Sequence, residues 1–166
     1  MSIYIVDSNF FIQSNQMNYP LDVAIGFWKK VKEFSDNSII ISVDKVKKEI
    51  YNVKDDLQSW CENNLTDDFF IDTTIVLNEY TDICNWAVSR NDHYKPEAIN
   101  EFLHADQADA WLVAYCAADK ENRKLVTYEK SEPARRGKIK IPEACNVVGV
   151  EYFNIIDLFR KLGETF

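Results

Sequence analysis

The sequence predicts an α/β fold: a short, mainly parallel sheet covered by helices on both faces. Three observations predict it. Short apolar runs rich in β-branched residues stand at 3–6, 38–42 and 123–129. Longer stretches whose apolar residues recur at helical spacing separate these runs. Strands alternating with helices are the pattern of a parallel sheet buried on both sides. The third observation is size. A chain of 166 residues can bury a sizeable core, and residues 1–166 are read as one domain.

The elements follow in order. IYIV (3–6) is the first strand, because β-branched and aromatic residues suit a buried strand. Asp7 and Ser8 are good caps for a short helix beginning at Asn9 or Phe10. Residues 20–37 place Val23, Phe27, Val31 and Phe34 on one helical stripe, with Pro20 near the start. SIIIS (38–42) is the second strand. Residues 43–53 form a helix with Val43, Val46, Ile50 and Val53 on one stripe, and 56–64 continue as a second helix. FFIDTT (69–74) reads either as a short strand or as an extended entry into the next helix. Helices are expected at 75–91 and 95–105. The segment 106–122 is Ala-rich and free of Gly and Pro, which favours helix. RKLVTYE (123–129) is a strand. Pro133, Gly137 and Pro142 mark 129–147 as a loop. VVGV (147–150) is expected as a last short strand and 151–163 as a closing amphipathic helix.

Composition bounds the function. With 46% hydrophobic and 28% charged residues, the chain fits a folded globular protein. It has no apolar run long enough to span a bilayer and no basic n-region, so a cytoplasmic protein without membrane contact is expected. Cys61, Cys84, Cys116 and Cys145 form no C-x-x-C pair, which points to reduced, structural thiols. The net charge of −8 disfavours a module that grips nucleic acid by phosphate neutralisation alone. It suits a protein that gathers carboxylates around divalent cations. Only four glycines occur and no G-x-G-x-x-G, which excludes the dinucleotide fingerprint and the P-loop. Asp7 lacks the second Asp, two residues on, of an aspartyl-phosphate phosphatase.

Four acids recur at element boundaries. Asp7 ends the first strand, Glu49 lies in the helix after the second, Asp109 opens the Ala-rich helix, and Glu129 follows KLVT. Parallel strands present their carboxyl ends on one edge, where ligands bind. A helix returning to the amino ends begins near that edge, which favours Asp109. Asp106 is assigned to capping. Packed carboxylates repel unless a cation compensates, and Mg²⁺ or Mn²⁺ is the usual remedy. Such ions support phosphodiester hydrolysis. His93 and His104 stand alone, so zinc is not expected.

The stretches IYIVDSNFFI, ISVDKVKKEI, ADAWLVAYCAA and KLVTYEK resemble, in order, the motifs of the PIN-domain family of metal-dependent nucleases. Asp7-Ser8-Asn9 matches its first acid with the small polar residues after it. Glu49 matches the second acid, Asp109-Ala110 with Ala114 the third, and Thr127-Tyr128-Glu129 the fourth region. KIKIPEAC (138–145) is similar to PIN-like toxins of toxin–antitoxin systems. The resemblance implies a three-layer α/β/α sandwich and Mg²⁺ or Mn²⁺ held by Asp7, Glu49, Asp109 and Glu129. Ser8, Asn9, Asp106 and Thr127 would support them. It implies an endoribonuclease that cleaves RNA with a metal-activated water, a cognate antitoxin as partner, and a homodimer. A catalytically weak PIN-like module that binds RNA or a protein without cutting is the alternative. Glu129 departs from the pattern, since Asp is usual there; its longer arm either reaches an ion through a water or marks the position as dispensable. Arg135, Arg136, Lys138 and Lys140 form a basic cluster in the loop after Glu129. The two arginines are expected as the main RNA phosphate contacts, because a guanidinium can hold phosphate bidentately.

Overall fold

The computed structural model describes residues 1–166. Strands β1 (Ile3–Val6), β2 (Ile40–Val43), β3 (Phe70–Ile71), β4 (Arg123–Val126) and β5 (Tyr152–Phe153) form one parallel sheet in the order β3-β2-β1-β4-β5. Register is continuous through the centre: Tyr4 pairs with Ile40 on one side, and Ile5 with Leu125 on the other. Nine α-helices connect and cover the strands: α1 (Ser8–Gln13), α2 (Ile25–Asp36), α3 (Asp44–Tyr51), α4 (Asp56–Asn64), α5 (Leu77–Ser89), α6 (Pro96–Leu103), α7 (Ala108–Ala117), α8 (Ile141–Val148) and α9 (Ile155–Leu162). The chain adopts the expected α/β class, with a sheet that is parallel throughout instead of mainly so, and its helices fit a three-layer sandwich.

The strand order places the functional edge. The chain leaves β1 towards β2 on one side, then returns through α5, α6 and α7 to enter β4 on the other. Right-handed crossovers send these two groups of connections to opposite faces. The segments after β1 and β4 therefore diverge, and a crevice opens at the carboxyl ends of these neighbours. Asp7 follows β1 there, and Thr127 follows β4.

The core explains why the elements form. Phe10, Phe11, Phe27, Phe34 and Phe69 are fully enclosed, each worth roughly 1.5–3 kcal/mol relative to exposure. Phe34 of α2 meets Phe159 of α9 with ring centroids 5.3 Å apart, which ties these helices over one face. In α7 every residue except Asp109 and Ala117 is buried. A helix that is apolar all round belongs to the interior, so an acid in its first turn stands out.

Several boundaries differ from the sequence expectation. The 20–37 helix starts at Ile25, because residues 20–23 turn first, and Val23 is 75% exposed. Val43 ends β2 instead of opening α3, and Val53 lies beyond α3 in solvent. FFIDTT resolves into β3 followed by a 3₁₀ turn at Thr73–Val76. The largest correction concerns 129–150. Residues 141–148 are helix α8, with Pro142 in its first turn, where a missing N–H costs nothing. VVGV is no strand: Val147 and Val148 end α8, and Gly149 closes it at φ 74°, a conformation glycine adopts freely. The last strand comes later, at β5, and α9 waits for its cap Asn154.

Candidate functional site

Asp7 is 3% exposed. Its Oδ1 accepts a hydrogen bond from the Phe10 amide at 2.8 Å, capping α1. Its Oδ2 accepts from the Thr127 hydroxyl at 2.7 Å, across from β1 to the end of β4. Capping and a place at the sheet edge are therefore both true of this residue. Burial pushes its carboxyl up to about 7. The Thr127 and Phe10 hydrogen bonds oppose the rise, while the charges of Asp109 and Glu129 add to it.

Asp109 sits in the first turn of α7 and keeps part of its surface open. The surrounding protein still desolvates it, and its carboxyl also rises to about 7. Glu129 is the next cause; Gln107 and Lys138 pull the other way, and Glu49 adds a smaller push. Asp109 and Glu129 both push on Asp7, and Glu129 pushes on Asp109, which places the three carboxylates in one electrostatic neighbourhood.

Glu49 and Glu129 frame that neighbourhood. Glu49, on α3, accepts from the Ser8 hydroxyl at 2.6 Å and from the Ala108 amide at 3.0 Å. One carboxylate thereby fastens the starts of α1 and α7 together. Glu129 accepts from the Ile141 amide at 2.8 Å, at the start of α8, and its other oxygen lies 3.4 Å from the Lys138 ammonium. Thr127 joins both sides, since its Oγ1 donates to Asp7 and accepts from the Glu129 amide at 3.1 Å. The longer arm of Glu129 has a local use here, in bonding the start of α8.

The supporting residues divide. Ser8 and Thr127 position carboxylates as described. Asn9 is exposed and lines a cleft of about 290 Å³ with Gln13, Tyr128, Glu129 and Lys130. Asp106 does not cap α7. Gln107 does, accepting from the Asp109 amide at 2.6 Å, and Asp106 instead pairs with Lys48 at 2.9 Å in solvent. Gln is an uncommon cap, so the sequence carried little signal for it. Glu143 was also missed: it accepts from the Ser131 hydroxyl and the Glu132 amide and anchors the basic loop. Its signal, an acid just after a first-turn proline, is legible only once α8 is read as a helix.

The basic loop folds back onto the protein. Arg135 pairs with Glu132 at 3.2 Å, and Lys140 with Glu132 at 3.4 Å. Arg136 Nε donates to the His93 carbonyl at 2.8 Å, and its own carbonyl accepts from the Lys95 amide. The arginines are held at the turn between α5 and α6, while Lys138 is the member at the carboxylates. Burial lowers the Lys138 ammonium, but Glu129, Asp109 and Glu101 outweigh it, and the net shift is upward.

No group of three or more His, Cys, Asp or Glu side chains stands together as a ready cage for an ion. The donor chemistry nevertheless fits a hard divalent cation. The set is all carboxylate oxygen, and burial, with neighbouring carboxylates adding to it, pushes two of its members up to about 7. The cysteines are free, with Cys61 pushed up to about 12 by burial, and no helix is long and apolar enough to cross a membrane. A wider cleft of about 390 Å³ between α2 and α4, lined by Trp28 and Trp60, lies apart from the carboxylates.

No curated protein and no solved structure matches the chain. A family model described as a domain of unknown function, DUF4411, matches residues 4–166. The fold and the acidic edge described above are thus those of a member of the DUF4411 family, to which this chain belongs.

Proposed function

We propose that the chain is a Mg²⁺- or Mn²⁺-dependent endoribonuclease of PIN-like fold, a single cytoplasmic domain acting as the toxin of a type II toxin–antitoxin pair. The observation that supports this reading is the burial of Asp7 and Asp109 beside Glu129 at the carboxyl edge, which pushes both carboxyls up to about 7. Two such acids are only partly ionised at neutral pH and become fully charged when a cation joins them. The ion, when bound, supplies positive charge against the attacking and leaving oxygens of a phosphodiester.

The chain's own residues do the rest. Asp7, Asp109, Glu49 and Glu129 would hold the ion. Thr127 fixes the Asp7 carboxylate by its hydrogen bond. Glu49, steadied by Ser8, ties down the start of α7 and so fixes where Asp109 emerges. Asp7 has both oxygens engaged, whereas Asp109 is partly open, so the Asp109 carboxylate takes the proton of the attacking water. Lys130 and Asn9, on the cleft beside Glu129, meet the RNA strand. The antitoxin partner and a homodimer rest on the resemblance of 138–145.

A second reading, a catalytically weak module, is favoured by one observation: Glu49 and Glu129 already bond backbone amides. The test is incubation of a mixed RNA pool with the protein in Mn²⁺, in Mg²⁺ and in chelator, beside Asp7→Asn. Cleavage that needs the ion and vanishes in the variant is expected. RNA retained but uncut would favour the module, and undiminished cleavage by Asp7→Asn would overturn the assignment.

A further inference from the structure

The acidic edge already contains a cation. The Lys138 ammonium lies 3.4 Å from Glu129 Oε1, and the Lys138 side chain is only 33% exposed. The segment that brings it there is fastened at several points. Glu143 accepts from the Ser131 hydroxyl at 2.5 Å and from the Glu132 amide at 2.9 Å. Arg136 donates to the His93 carbonyl and accepts from the Lys95 amide. Ile139, next in the chain, is buried, and the Ile141 amide bonds the second oxygen of Glu129. The neighbouring cations behave differently: Arg135 and Lys140 both pair with Glu132, within the loop itself. The loop therefore holds one ammonium, and only one, against the carboxylates.

We infer that Lys138 is the resident counter-cation of this edge and competes with a divalent ion for Glu129. The inference rests on the metal-site reading above and adds a residue that works against metal loading. Without the ion, the ammonium offsets part of the carboxylate repulsion. A divalent ion compensates more charge and repels the ammonium beside it, so Lys138 leaves Glu129 when the ion binds.

The test titrates Mn²⁺ alone into the full chain by calorimetry, for wild type, Lys138→Met and Lys140→Met. A second measurement needs no variant: reductive methylation of wild-type lysines with and without Mn²⁺, read residue by residue by mass spectrometry. Lys138→Met should bind Mn²⁺ roughly tenfold more tightly than wild type, and Lys140→Met within about twofold of it. Methylation of Lys138 should quicken with Mn²⁺, and that of Lys140 should not. Equal or weaker binding by Lys138→Met, or Lys138 methylation that Mn²⁺ leaves unchanged, overturns the inference while the metal site stands. Binding by none of the three proteins sinks the metal-site reading, and the inference falls with it.

Discussion

Replacing Asp7 by Asn should stabilise the metal-free protein, and more so at high pH. Burial pushes this carboxyl up to about 7 in the folded chain from its ordinary 3.8. A raised carboxyl favours the folded state fully only below the unfolded value. The preference is lost as pH rises through the folded value, because the unfolded chain ionises first. The difference of about three units corresponds to ~4 kcal/mol of lost stability at pH 8, and to ~2 kcal/mol at pH 5, where the loss is partial. Asn removes the charge and keeps an acceptor for the Phe10 amide. It gives up the acceptor facing Thr127, which costs about 1 kcal/mol. The balance is a gain of ~3 kcal/mol at pH 8 and ~1 kcal/mol at pH 5. For a domain of this size that is on the order of 6–12 °C in Tm at pH 8, and a few degrees at pH 5. The assay is thermal unfolding of wild type and Asp7→Asn in chelator at both pH values. A variant less stable than wild type at pH 8, or an effect independent of pH, would show that Asp7 carries no costly buried charge.

Other substitutions probe the same edge. Thr127→Val removes the donor to Asp7 and leaves the Glu129 amide without its partner; denaturant unfolding should report a loss of about 2–3 kcal/mol. Glu129→Asp shortens the arm that reaches Ile141 and Lys138; it should lower stability by about 1–2 kcal/mol, and an unchanged Tm would contradict the helix-fastening role. Glu49→Gln keeps one acceptor for Ala108 and loses the second for Ser8; stability should fall by about 1 kcal/mol, and Mn²⁺ affinity measured by calorimetry should fall with it.

The sequence carried the three longer strands, β1, β2 and β4, and the positions of the four acids, because these are local signals. IYIV and KLVT announce strands through β-branching, and each acid follows or opens an element with clear periodicity. It did not carry α8, because Pro142 reads as a breaker in sequence yet sits harmlessly in a first turn. Nor could it give the strand order. That order depends on which side of β1 the long crossover enters, and it is what brings Thr127 to Asp7 across 120 residues. Residue type favours Asp106 as the cap of α7, but Gln107 has the extended backbone at the helix start and takes that role. Arg135 and Arg136 were favoured for their fork geometry; the fold turns them towards the α5–α6 turn and leaves Lys138 at the carboxylates.

We propose above that the crevice between β1 and β4 binds a divalent cation through its carboxylates. Anomalous diffraction from crystals of the full chain soaked in Mn²⁺ tests it most directly. An anomalous peak is expected within ~2.0–2.6 Å of carboxylate oxygens of Asp7 and Asp109, with Lys138 withdrawn from Glu129. A well-diffracting soaked crystal with no peak there, or with manganese only at surface acids such as Asp106, would contradict it.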